Sequence, residues 1–203
     1  MDVRSRIKQH LKENKWHYAL LCLIFFLGFF LGYHKVFSLD GEVREHLLGL
    51  INSYLLGGFR GELSSGYIFT SAYLQQLKSI ALIGFLGLTV IGIPLIIGVI
   101  FFRGFSLGFT IGFLVKEKGG IGFFLTFLSI FPQNIVYIPL IIIWSLIAIN
   151  FSVYIVKRQD PGGLPLTKGL LRYLLLFLTF CLVILVGVLI ESYLSPWLLG
   201  LFL

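Results

Sequence analysis

Charged side chains are scarce in this chain of 203 residues, where Asp, Glu, Lys and Arg make up 12% against about 25% in a typical soluble domain. Five long stretches contain no charged residue and no histidine: 18–33, 79–102, 119–134, 135–156 and 173–190. About 20 apolar residues of helix cross a bilayer, and only helices or closed barrels pair every backbone group there. These stretches are apolar on every face, whereas barrel strands alternate. The sequence therefore predicts an all-α fold, a polytopic helical membrane bundle.

Residues that commonly serve as catalytic groups or metal ligands are also rare. The chain has two cysteines and four histidines, no His-Glu-x-x-His pattern and no cysteine pair with metal-ligand spacing. Both cysteines, Cys22 and Cys181, fall within predicted spans, where they behave as small apolar residues. No carboxylate or histidine is expected at span depth beside a serine. We therefore expect no enzymatic activity, no metal and no cofactor.

The basic residues indicate an orientation. Putting the N-terminus inside assigns 12 of the 16 basic residues to the cytoplasm, as the positive-inside rule requires. These twelve are Arg4, Arg6, Lys8, Lys12, Lys15, Arg103, Lys116, Lys118, Lys157, Arg158, Lys168 and Arg172. The net charge of +7 is then a topology signal, and nucleic acid is not an expected partner. The C-terminus is expected outside, and the first span lacks a small-x-small cleavage pattern, which favours an uncleaved anchor.

The chain is predicted to be one membrane domain, 1–203, with a basic cytoplasmic N-terminus over 1–15. The largest loop, 37–77, is expected outside the cell. Apolar residues there recur at helical spacing, Gly57-Gly58 breaks the pattern, and Ser64-Ser65 could cap a second helix. Two short amphipathic helices would fit, lying on the membrane, packed over the bundle or contacting a partner.

Five crossings and one partial one are predicted. The second crossing runs over about 78–102. Residues 104–118 are expected to form a re-entrant or interfacial segment on the cytoplasmic side, because 104–115 is too short to cross and Lys116-Glu117-Lys118 follows it. Pro132, Gln133 and Asn134 are interpreted as a structural outer turn or a partner contact. Glu191 is placed at the outer interface, with the same two interpretations.

Glycines recur at a spacing of four, which aligns them on one helix face and lets a second helix approach closely. The set comprises Gly104, Gly108 and Gly112, with Gly28 and Gly32 repeating the spacing in the first span. The pattern predicts packing within the chain or a homodimer interface, and the sequence leaves both open.

A small-solute transporter or channel is the alternative function. Broken helices are typical of transporters, and the glycine-rich segment could be interpreted that way. Ion coupling usually needs an ionisable residue inside the membrane, and none is expected at mid-span here.

Several motifs carry a resemblance over nearly the whole chain. These are the Gly108–Val115 segment, Phe131-Pro132-Gln133-Asn134, Lys157-Arg158, Arg172-Tyr173, and Glu191-Ser-Tyr-Leu-Ser-Pro196. They closely resemble the stage II sporulation protein M family.

The resemblance implies an integral membrane component of the machinery that remodels septal peptidoglycan during engulfment in endospore formation. Its implied partners are two cell-wall hydrolases, stage II sporulation proteins D and P, for which it looks like a scaffold in the mother-cell septal membrane. The family is not thought to cut the wall itself. The wider family also occurs in organisms that form no spores.

Overall fold

The protein is described by a computed structural model that covers residues 14–59, 65–157, 166–195 and 197. The predicted basic N-terminus up to residue 13, the Ser64 cap, Arg158 and Pro196 lie outside these residues. The described part is helical and contains no strand, so the all-α prediction is confirmed. Its helices are α1 (Lys15–Lys35), α2 (Gly41–Phe59), α3 (Ser65–Leu86), α4 (Gly92–Leu125), α5 (Phe131–Lys157) and α6 (Leu166–Leu189). Two π-helical segments follow α4 and α6: π1 (Thr126–Ile130) and π2 (Ile190–Leu194).

Four helical stretches in the described part are long and apolar enough to cross a membrane. They are Lys15–Ser38, Gly92–Phe124, Thr126–Val156 and Thr167–Leu194. The predicted count of five crossings and a re-entrant segment is therefore not confirmed. Helix α3 packs among these four but carries Gln75, Gln76 and Lys78 near its middle.

The predicted second crossing over 78–102 is wrong, because the chain turns back within it. Helix α3 ends at Leu86 and α4 begins at Gly92. A Cβ on Gly92 would lie 1.8 Å from the Leu86 carbonyl oxygen, so only glycine allows the chain to fold so tightly there. The Ser152 hydroxyl donates to the Thr89 carbonyl in this turn at 2.8 Å. The turn contains no charged residue, so a hydropathy profile shows the end of α3 and the start of α4 as one continuous apolar stretch.

The prediction of a separate re-entrant or interfacial segment over 104–118 is also wrong. These residues lie inside α4 and run parallel to α1, with Gly104 beside Phe25 and Gly108 beside Phe29. The lysines and the glutamate over 116–118, expected near the N-terminal end of the bundle, therefore lie at its opposite end.

Two contacts fix that opposite end, which we call the Lys116 end. The Lys116 ammonium donates to the Val36 carbonyl at 3.0 Å, and Arg44 of α2 pairs with Glu117 at 2.7 Å. The hydrogen bond to Glu117, followed by its negative charge, raises the pKa of Arg44 above its usual value. Helix α2 is thus tied to the bundle at the Lys116 end.

The chain reverses again at Gly119, whose φ of 56° and ψ of −132° interrupt α4. A Cβ on Gly122 would lie 1.9 Å from the Leu114 carbonyl oxygen, although eight residues of straight helix would separate the two by about 12 Å. The predicted turn at Pro132-Gln133-Asn134 is therefore wrong, since these residues begin α5 instead.

We expect Gly119→Ala to destabilise the protein by about 1–2 kcal/mol, because an L side chain in this backbone region is strained. Gly120→Ala is the matched control: an added Cβ would have no atom within 4 Å at either position, and only Gly119 has a positive φ. Thermal unfolding of both variants in detergent would measure the difference. Equal melting temperatures would contradict a glycine requirement at 119.

An aromatic cluster holds α3, α5 and α6 together. Trp144 is fully buried, donates its indole N–H to the Ile80 carbonyl at 2.9 Å, and stacks on Tyr173 with ring centroids 5.1 Å apart. Tyr173 in turn donates to the Gly84 carbonyl at 2.9 Å and stacks on Phe151 at 4.2 Å. These contacts make α3 parallel to α5 and antiparallel to α6.

Candidate functional site

Helix α4 presents a glycine face to α1. A Cβ on Gly104 would lie 2.1 Å from the Phe25 carbonyl oxygen, and one on Gly108 would lie 2.0 Å from that of Phe29. In α1, Gly28 and Gly32 meet the backbones of Phe101 and Phe105 in the same way, and Gly112 lies against Tyr33. The five glycines singled out in the sequence thus meet one another's helices within the chain. The interpretation of these five glycines as packing within the chain is therefore the one that the structure supports.

A second face of α4 is polar. Arg103, Ser106, Leu107 and Thr110 follow one another at i, i+3, i+4 and i+7, the spacing of a single helix face. This face lines a cavity of about 210 Å³. Side chains from α1, α3, α5, π1 and π2 complete its wall. Neither α2 nor the regular part of α6 contributes a described lining residue.

Arg103 is the cation of this cavity. It lies 11 residues into α4, about 16 Å from the first residue of the helix at 1.5 Å per residue. It therefore lies near mid-span, and the prediction that it marks a cytoplasmic helix end is wrong. Its guanidinium donates to the Gln76 side-chain carbonyl, while its Nε is buried without a hydrogen-bond partner. Arginine in a span normally faces the bundle interior and pairs with a polar group there.

Glu191 is the anion of the cavity. Its carboxylate accepts a hydrogen bond from the Tyr137 hydroxyl at 2.7 Å, and Tyr137 is buried. Glu191 lies near the end of the last apolar stretch, Thr167–Leu194, and its side chain lines the cavity from π2, so the interpretation as a solvated interfacial residue is not supported. Arg103 and Glu191, both described, form no direct ion pair with each other.

Gln133 and Asn134 also line the cavity, from the first turn of α5. Gln133 accepts a hydrogen bond from Ser195 at 3.2 Å, and Asn134 donates to the Ile130 carbonyl at 2.7 Å. Pro132 has no N–H to donate back into π1, which explains why the helix loosens there. These polar side chains therefore have partners within the chain.

Both π-helical segments border the cavity, since Ile130 of π1 and Glu191 of π2 are among its lining residues. Single-turn π segments inside helices occur frequently at functional sites, because the extra residue turns side chains toward a new direction. Here the extra residue directs side chains toward the cavity. The arrangement can hold a small polar solute or hold the helices together.

The sequence carries a signal for this site that charge-free stretches alone do not reveal. Placing helix ends by those stretches assigns Arg103 to a boundary and separates it from Ser106 and Thr110 on its own helix face. The spacing of three, four and seven residues identifies them as one stripe. In the described part of the chain, no three His, Cys, Asp or Glu residues could together hold a metal ion.

The fold and this site define a polytopic helical membrane protein with a partly open cavity between its helices, lined by polar and apolar side chains. A family model described as Stage II sporulation protein M matches residues 21–196, which is most of the chain. The chain therefore belongs to the stage II sporulation protein M family, and this membership indicates a sporulation membrane protein. Searches of curated proteins and of solved structures gave no match.

Proposed function

We propose that the protein is a non-enzymatic membrane scaffold of the engulfment machinery in endospore formation. In this role it anchors and positions the septal peptidoglycan hydrolases, stage II sporulation proteins D and P, in the mother-cell membrane. The observation that carries the proposal is the family match over residues 21–196. The tight packing of α1 on α4 and the aromatic cluster of α3, α5 and α6 fit a rigid anchor.

Charge supports an orientation for this scaffold. The described basic residues at the end where α1 begins are Lys15, Lys157, Lys168 and Arg172, and no described acid lies there. At the Lys116 end, basic and acidic residues are balanced, as the Arg44–Glu117 pair illustrates. By the positive-inside rule, this distribution favours an orientation with the Lys116 end and α2 outside the cytoplasm, where wall hydrolases act.

Helix α2 is the surface that we assign to these partners. It lies outside the four stretches that can cross the membrane, and its Arg44 is paired with Glu117. Val43 on α2 is 46% exposed, so an apolar side chain is available beside that tether. Leu50, seven residues further along α2, is 54% exposed, so apolar side chains recur on one face of this helix. Exposed apolar surface of this kind marks contact with protein or membrane.

Affinity purification of the tagged protein after crosslinking in early sporulation tests the proposal. We expect both hydrolases to be recovered with the full-length protein and not with an unrelated tagged membrane protein of similar abundance. Failure to recover either hydrolase from abundant, correctly inserted bait would contradict the scaffold role.

A small-solute transporter or channel is the second candidate function, and the polar cavity favours it. Arg103 lies near mid-span, with Glu191 lining the same cavity, and supplies the ionisable residue inside the membrane that such a protein usually needs. Substrate-dependent flux in proteoliposomes would support this candidate, and the scaffold alone requires none.

A further inference from the structure

We infer that the interior cavity binds a small zwitterion that carries one carboxylate and one ammonium group, as an α-amino acid does. The site consists of Arg103 and Glu191 with the polar side chains between them. The inference goes beyond the scaffold role and holds whether or not the protein moves the ligand across the membrane.

The donor set matches the two ends of such a ligand. Arg103 uses part of its guanidinium on Gln76 and leaves its Nε buried and unpartnered. Arginine recognises carboxylates through neighbouring N–H groups in a fixed plane. The Arg103 side chain lines the cavity and donates to Gln76, so the terminal N–H groups that Gln76 does not use are suited to a ligand carboxylate. Glu191 accepts one hydrogen bond from Tyr137 through Oε2 and has further lone pairs to accept from an ammonium.

Charge balance selects a zwitterion over a simple anion or cation. The cavity contains one cation and one anion, Arg103 and Glu191, which do not touch each other in the described structure. A ligand with no net charge leaves the sum at zero, whereas a single-charge ligand would leave a net charge buried between helices. Buried charge without a partner is costly in protein and in a membrane.

The volume of the cavity and its opening are both suited to a small ligand. About 210 Å³ exceeds the roughly 30 Å³ that one water occupies in the liquid and is below the roughly 300–1,000 Å³ of pockets for drug-sized ligands. Gln75, Ser106 and Thr110 line the cavity and are themselves exposed. These exposed polar side chains mark the side where the cavity opens.

The test measures binding to the purified full-length protein in detergent. The common α-amino acids are tested singly, at millimolar concentration, for a rise in melting temperature, and the strongest is measured by calorimetry. We expect at least one to bind. Its analogue without the amino group and its analogue without the carboxylate should each bind at least about tenfold more weakly, as expected when one charge-assisted hydrogen bond is lost.

Two variants and a matched control locate the site. Arg103→Gln removes the charge, and Thr110→Leu fills the cavity mouth without changing Arg103, so it still tests the site if Arg103→Gln does not fold. Thr179→Leu is the control, because Thr110 and Thr179 are both exposed and each donates to the carbonyl four residues earlier at 2.9 Å, but Thr179 does not line the cavity.

We expect the affinity to fall at least about tenfold in Arg103→Gln and Thr110→Leu and to stay at the wild-type value in Thr179→Leu. No stabilisation of the wild type by any amino acid would overturn the inference. Equal binding of the carboxylate-only analogue, or unchanged binding in Thr110→Leu, would overturn it as well. None of these outcomes depends on hydrolase recovery, so the scaffold proposal is tested separately.

Discussion

Gly108→Ala is expected to lower the free energy of unfolding by about 1–3 kcal/mol, the usual cost of forcing extra atoms into a packed interior. A Cβ at this position would lie 2.0 Å from the Phe29 carbonyl oxygen. Because that oxygen belongs to the backbone of α1, relief requires the two helices to move apart. Close approach of parallel helices supplies much of their attraction in a membrane, where burial of apolar surface contributes little.

Gly98→Ala is the matched control, since it changes a glycine of the same helix where no atom lies within 4 Å of the added Cβ. Alanine in a helix interior is more favourable than glycine by about 0.5–1 kcal/mol, so this variant is expected to be as stable as the wild type or more so. Unfolding in detergent and the amount of inserted protein would be measured for both. Similar stability of the two variants would contradict close packing of α1 on α4.

Trp144→Ala is expected to cost about 3–5 kcal/mol, the range for removing a large aromatic side chain from a core. The indole is fully buried, stacks on Tyr173 and donates to the Ile80 carbonyl at 2.9 Å. Its removal leaves a void with no partner atoms on one side. It also removes a contact that joins α5 to both α3 and α6, so less correctly folded protein is expected.

Trp16→Ala provides the comparison, because Trp16 is 77% exposed while Trp144 is fully buried. The change at Trp16 is expected to stay within about 0.5 kcal/mol of the wild type. Size-exclusion profiles after heating would measure both variants. A Trp144→Ala protein as stable as Trp16→Ala would contradict the aromatic cluster as the connection between these helices.

The class of fold could be predicted because uncharged apolar stretches are a strong and local signal. The helix boundaries could not be predicted, because a turn inside the protein need not contain a charged residue. The turn before Gly92 contains only apolar residues, glycine and a threonine whose carbonyl is satisfied by Ser152. A turn whose polar groups are paired inside the protein needs no charge, and hydropathy therefore gives no sign of it.

The same reasoning explains the errors at Lys116 and Arg103. Lysine next to glutamate is typical of a membrane boundary, but tertiary contacts to Val36 and Arg44 place Lys116 and Glu117 at the end opposite the predicted one. Arg103 interrupts an apolar run and so resembles a helix end, whereas Gln76 on a different helix partners it at mid-span. The observed positions of Lys116 and Arg103 depend on contacts between residues far apart in sequence. A hydropathy profile along the chain does not contain this information.

The glycine spacing is informative because close approach of two helices requires small residues at regular positions, and that regularity is visible in the sequence. Gly28 and Gly32 on α1 and Gly104 and Gly108 on α4 share a period of four, and the structure brings the two pairs together. The spacing alone leaves the choice between this contact and a homodimer open. The parallel course of α1 and α4, which brings these glycines together, is a tertiary feature.

Photo-crosslinking in sporulating cells tests the scaffold proposal most directly. A photoreactive amino acid replaces Val43 on α2 in one strain and Val156 near the end of α5 in another. The two valines are each 46% exposed and lie at opposite ends of the bundle. We predict crosslinks to stage II sporulation proteins D or P from position 43 and none from position 156. Crosslinks from position 156 alone, or from neither position in well-inserted protein, would contradict a scaffold whose Lys116 end faces the wall.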